Sequence, residues 1–76
     1  MLTPRHKGWR VRIVTADLCE LEGDLLAVDK EGNILLQDAE EHLRGGSTRY
    51  LGVAGLRGHN VSLAEVLDRP YRKLPK

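Results

Sequence analysis

The chain has no Phe, one Trp, one Met, one Cys and three Pro in its 76 residues. A single thiol, Cys19, excludes an internal disulfide framework. With only His6, His42 and His59 scattered beside it, it gives no zinc-binding spacing, so no metal is expected. Free thiols fit a reducing compartment. No apolar run approaches the ~20 residues that would cross a bilayer, and Met1 to Arg10 lacks the apolar centre of a signal peptide. The expectation is a soluble, cytoplasmic protein without a membrane partner. Charge of one sign is missing as well. Twelve Lys and Arg stand against eleven Asp and Glu, a net charge of +1, which makes no strong electrostatic case for nucleic acid. Nor does the chain carry a paired nucleophile and base, a metal set or a phosphate loop, so it is not expected to be an enzyme in its own right. One small domain, residues 1–76, is expected, with a core over about 9–67 and a basic tail over 68–76. A core of this size is marginal unless a disulfide, a metal or a partner supplements it. With the first two excluded, a partner is expected.

What is present is a β pattern. Residues Trp9 to Thr15 alternate, with Trp9, Val11 and Ile13 on one face and Arg10 and Arg12 on the other, as in a half-buried strand. A second strand is expected from about Cys19 to Val28, with Leu21, Gly23, Leu25 and Ala27 sharing a face. Gly23 inside a strand marks a bend or bulge, the device that curls a short sheet toward a barrel. Asp29 to Asn33 is a turn by composition, since Gly32 tolerates positive φ and Asp and Asn bond local backbone. The third strand runs from Asn33 to about Glu41, and Ile34-Leu35-Leu36 predicts burial on both faces. A loop around Gly45-Gly46, a fourth strand over Arg49 to Leu56, a turn over Arg57 to Asn60 and a fifth strand over Val61 to Leu67 complete the pattern. Pro70 ends regular pairing. Ser62 and Glu65 could form a capping box, but Pro70 leaves too few turns, and strand is expected there. Any N-terminal helix is short or absent.

Outside the core, Arg5, Lys7, Arg10 and Arg12 form one candidate basic patch, and Arg69, Arg72, Lys73 and Lys76 another. Asp38, Glu40 and Glu41 read as a solvated acidic edge, because adjacent strand residues point to opposite faces. Cys19 reads as a small apolar filler.

Gly23, Asp29, Asn33 and the run Ile34 to Leu36, followed by Leu56, Arg57, Gly58 and Val61, resemble the two sequence motifs of the Sm-like (LSm) domain family. The resemblance implies a mainly β Sm-like fold: a five-stranded, strongly bent antiparallel sheet or small open barrel. In RNA-binding members the loop Asp holds the Asn, the Asn bonds a uracil edge, the residue before it stacks on the base, and the motif-two Arg stacks from the other side. The corresponding residues are Asp29, Asn33 and Arg57, with Gly58 shaping the second loop. Gly32 occupies the stacking position and offers no π face. The alternative is that Asp29 and Asn33 cap a hairpin while Arg57 is solvated.

Leu26 to Asp29, Asn33 to Leu36, Asp38 to Glu41 and Arg49 to Val53 are most similar to the small Sm-like auxiliary subunits of NatC N-terminal acetyltransferase complexes. That branch tends to lose the Arg-Gly pair which RNA-binding members keep. The resemblance implies a non-catalytic subunit held by a large auxiliary subunit beside an acetyltransferase that acts on Met-hydrophobic N-termini. It binds no cofactor alone, acetyl-CoA being expected on the catalytic subunit. Leu51 and Val53 on the fourth strand, with Val61 and Leu63 on the fifth, are expected to support the partner-facing edges. The competing expectation is a hetero-oligomeric ring of LSm chains binding U-rich RNA in splicing or mRNA decay.

Overall fold

The computed structural model describes residues 2–68. Five strands follow in chain order: β1 (Arg10–Thr15), β2 (Glu20–Val28), β3 (Ile34–His42), β4 (Thr48–Leu56) and β5 (Val61–Asp68). They form one antiparallel sheet in the order β4-β3-β2-β1-β5. Helix among the described residues is confined to two 3-10 turns, Pro4–His6 and Gly58–Asn60. The segment from Ser62 is strand, as expected, and not the short helix that Ser62 and Glu65 could have capped. Pro70 and the basic residues Arg69, Arg72, Lys73 and Lys76 lie outside the described residues.

The strands curl around one apolar face. Val11, Ile13 and Leu36 are fully buried and Leu25 nearly so, with Leu2, Leu21, Ile34 and Ala39 completing the core. Burying each large aliphatic side chain contributes roughly 1.5–3 kcal/mol, so these few residues supply most of the fold's driving force. Trp9, Cys19, Leu51, Ala54 and Val61 pack partly buried around them.

Curvature comes from slips in register. Gly23 lies at the β2–β3 slip between Glu22 and Asp24. A Cβ there would stand 3.1 Å from Leu36 Cβ and 3.2 Å from the Ala39 Cα. Both distances are tighter than nearly all real Cβ contacts, so glycine lets β3 lie that close without displacing its neighbours and favours the bend. On β3 two residues, Asp38 and Ala39, stand opposite Gly23, and Asp38 takes a left-handed φ of +53°. A second slip, between Leu25 and Ala27, inserts Leu26. That slip corrects one expectation: Ala27 does not share the buried face of Leu21 and Leu25 but is exposed opposite Leu35. One inserted residue reverses the alternation for everything beyond it. Leu35 is likewise exposed, so burial on both faces of β3 is not met within this chain.

The outer face of β1 also differs from expectation. Arg10 donates from Nε to Glu22 at 2.9 Å and reaches Asp24 at 3.3 Å, while Arg12 pairs with Glu65 at 2.7 Å and Glu20 at 3.2 Å. The β1 arginines are therefore tied into a cross-strand ladder and do not join Arg5 and Lys7 in a basic patch. The acidic residues toward the end of β3 are not simply solvated either. Glu41 pairs with Arg49 at 2.7 Å and Asp38 accepts a hydrogen bond from Tyr50 at 3.0 Å.

The β1–β2 turn is closed by Thr15 and Cys19, with the Thr15 amide donating to the Cys19 carbonyl and the Cys19 amide to Thr15 Oγ1. Leu18 occupies its left-handed position at φ +69°. A left-handed L-residue costs roughly 1–2 kcal/mol relative to glycine.

Candidate functional site: two interlocked loops between two open sheet edges

Residues 29–33 connect β2 to β3, and residues 57–60 connect β4 to β5. The first loop is organised by one carboxylate. Asp29 Oδ1 accepts from the backbone N–H of Glu31 and of Asn33, both at 2.9 Å, and its Oδ2 accepts from Asn33 Nδ2 at 2.9 Å. These bonds hold the Asp29 carboxyl below the usual carboxylate range, the Asn33 side-chain bond contributing most. Gly32 sits at φ +85°, a conformation glycine adopts without the Cβ penalty.

Asn33 joins the two loops. Its Oδ1 accepts from the Gly58 N–H at 2.8 Å. At Gly58 a Cβ would strike the Glu31 carbonyl oxygen and come within 2.9 Å of the Gly32 carbonyl carbon. Close backbone approach thus requires glycine at this point. Four residues singled out in the sequence, Asp29, Asn33, Arg57 and Gly58, are brought together, and their spacing of 4 and 1 along the chain is what made them legible.

Beside the interlock lies an open cavity of about 480 Å³, bordered by Asp29, Asn33, Leu35, Gly55 and Arg57. Its lining contains no aromatic ring. Arg57 is exposed and forms no ion pair among the described residues. The cavity could receive a planar polar group against the guanidinium. A second stacking surface is missing, because Gly32 contributes only backbone. Both side-chain ends of Asn33 already hold partners within the chain, which leaves it one N–H and one lone pair for anything else.

The other singled-out residues lie elsewhere. Gly23 is buried in the bend between β2 and β3. Leu51 and Val53 are on β4 and Val61 and Leu63 on β5, at opposite edges of the sheet. They divide by direction: Leu51 and Val61 pack on the core, whereas Val53 is 63% and Leu63 45% exposed. Tyr50, also on β4, is 66% exposed and was not legible as an edge residue, since its anchor Asp38 comes from the bulge in β3. Neither edge carries a Lys or Pro, and the two charged side chains with assigned partners, Arg49 and Glu65, are bound to Glu41 and Arg12. Each edge strand carries a bulge, at Leu51 in β4 and at Ser62 and Leu67 in β5, yet both run for eight or nine residues with one side open, which leaves them able to pair further. Among the described residues no group of three His, Cys, Asp or Glu side chains is placed to hold a metal ion, and no helix is long and apolar enough to cross a membrane.

The LSM domain family profile matches residues 4–66. None of the curated proteins matches significantly. Among solved structures, a heptameric archaeal Sm protein is 32% identical, with 83% of this chain and 91% of that one covered at a TM-score of 0.78. The Sm protein of Pyrococcus abyssii, solved in complex with a uridine heptamer, is 27% identical over 83% of this chain and 89% of that one, with a TM-score of 0.75. A chain of the NatC complex bound to CoA is 27% identical over 87% of this chain and 86% of that one, with a TM-score of 0.77. That chain is therefore close to this one in length.

Proposed function

The chain belongs to the LSM domain family, and from that premise we propose that it is a non-catalytic scaffold subunit of a NatC-type N-terminal acetyltransferase complex. In this role it stabilises an assembly that acetylates Met-hydrophobic N-termini as they are made. The observation that carries the proposal is the contrast between loops and edges. The polar side chains of the loop site are largely satisfied within the chain and have no aromatic platform, while β4 and β5 leave their outer backbone groups unpaired. A protein whose free bonding capacity is main-chain N–H and C=O along sheet edges is suited to segments of other proteins, by strand addition.

Val53 and Leu63 face the added segments, and Leu51 and Val61 hold the edges against the core. A large auxiliary subunit supplies those segments, and a separate catalytic subunit carries the acetyl transfer. Acetyl-CoA belongs on that catalytic subunit. The setting that goes with this role is the cytoplasm. The likeness to the chain of similar length in the CoA-bound NatC structure supports it.

A second reading rests on Arg57. Its unpaired guanidinium beside Asn33 is what an LSm ring subunit would use to bind a base of U-rich RNA, with β4 and β5 pairing to neighbouring LSm chains. Affinity purification of the chain from its native extract, followed by mass spectrometry, separates the two. An acetyltransferase with one large auxiliary protein is the expected result. Several Sm-like chains with RNA, and oligo(U) binding lost in Arg57→Ala, would establish the ring instead.

A further inference from the structure

Leu18 combines two unfavourable features in one residue. It is the most exposed large apolar side chain among the described residues, at 79%, and it sits in the left-handed region at φ +69°. The turn around it does not depend on its side chain. Leu18 donates its N–H to the Thr15 carbonyl at 2.9 Å, the Thr15 amide donates to the Cys19 carbonyl at 2.9 Å, and Thr15 Oγ1 serves the Cys19 amide at 3.1 Å. Asn or Gly would make the same backbone bonds with less strain. Strain retained at an exposed apolar position points to a use outside the isolated chain.

The location indicates what meets it. The Ala16 N–H donates to the Asn60 carbonyl at 2.7 Å and Thr15 lies opposite Val61, so the turn is fastened to the first residue of β5. Next along the ladder, Val14 pairs with Leu63, itself 45% exposed. Leu18 thus stands exposed on a turn that the backbone fastens to the start of the β5 edge. The turn residues between β1 and β2 carry Asp17 and no cation, and Glu20 beyond them is paired with Arg12. That charge disfavours both a phosphate backbone and an anionic membrane, and leaves a protein surface as the fitting contact.

We propose that Leu18 is an apolar anchor, inserted in a hydrophobic socket of the same partner protein that adds a strand to β5. This rests on the scaffold role above. The anchor gives the edge contact a side-chain component at a fixed distance from the strand, which backbone pairing alone does not supply. It thereby selects the register and identity of the added segment.

The test uses the full chain with Leu18→Gly and Leu18→Asn, each melted in isolation and each used to purify the native assembly, with partner recovery quantified by mass spectrometry. The expected result is an unchanged or higher Tm for both variants together with at least a tenfold loss of the acetyltransferase and large auxiliary protein, and recovery rescued by Leu18→Met. Wild-type recovery of that assembly by the Gly and Asn variants would overturn the anchor alone. A Tm lowered by several degrees in both variants would assign Leu18 to the chain's own stability and overturn it too. Recovery of Sm-like chains and RNA by the wild-type protein would overturn the scaffold role, and the anchor with it.

Discussion

The interlocked loops and the two sheet edges treat their hydrogen bonds in opposite ways. At the loops, one carboxylate and one amide account for four bonds to neighbouring groups, and two glycines bring the backbones together. At the edges, β4 and β5 each pair on one side and leave the other side bare. A polar site that is satisfied internally is a structural joint. A row of unsatisfied backbone groups next to exposed Val53 and Leu63 is an interface. The joint also has a mechanical consequence. Gly58 and Asn33 tie the end of β4 and the start of β5 to the β2–β3 loop, so the loop network sets where both edges stand.

The largest effect that would break this comparison is at the edges. Val53→Asp combined with Leu63→Glu should lower partner recovery at least a hundredfold while leaving the isolated chain folded by circular dichroism, because both side chains are exposed. Normal recovery would remove the edges from the interface. Next in size, Gly58→Ala should destabilise the chain by about 1–3 kcal/mol in urea melts, since its Cβ meets backbone that cannot move aside. A neutral outcome would mean the loops are not interlocked. Asn33→Ala should cost about 1–2 kcal/mol, from bonds lost to Asp29 and Gly58, whereas Arg57→Ala should change stability by less than about 0.5 kcal/mol and leave partner recovery intact. Equal losses at the two positions would erase the distinction between joint and free cation.

The smallest effect concerns acid. The Arg10 hydrogen bond is the main cause holding the Glu22 carboxyl below its usual range, with His42 contributing further. A lowered folded-state value gives stability that is present above the ordinary carboxylate range and is lost as pH falls through the lowered value. Glu22→Gln should therefore flatten the fall in stability between pH 5 and the acid limit, by roughly 1 kcal/mol or less for a partly exposed pair. An unaltered acid limb would show that the outer-face ladder contributes nothing measurable.

Much of this was legible because it is local. Val11 and Ile13 declare β1 by alternation, Gly23 declares the bend, and Asp29, Asn33 and the Arg57-Gly58 pair declare the loops by short spacings. What escaped depends on how distant segments align. Ala27 faces outward because one inserted residue, Leu26, shifts the β2–β3 register. Arg10 and Arg12 read as a basic patch until β2 and β5 bring Glu22, Asp24, Glu20 and Glu65 beside them. Leu18 carries no signal at all in composition, since its left-handed backbone is imposed by the Thr15–Cys19 closure. The Sm-like motifs specify the joint closely, whereas the choice of partner is written in edge chemistry that any strand-adding protein could use.

The central claim is that partners are met at the edges and not at the loops, and hydrogen exchange of the purified assembly against the isolated chain tests it most directly. The account predicts strong new protection in residues 48–56 and 61–67, with residues 29–33 and 57–58 exchanging as they do in the free chain. New protection confined to residues 29–33 and 57–58, with β4 and β5 unchanged, would contradict it.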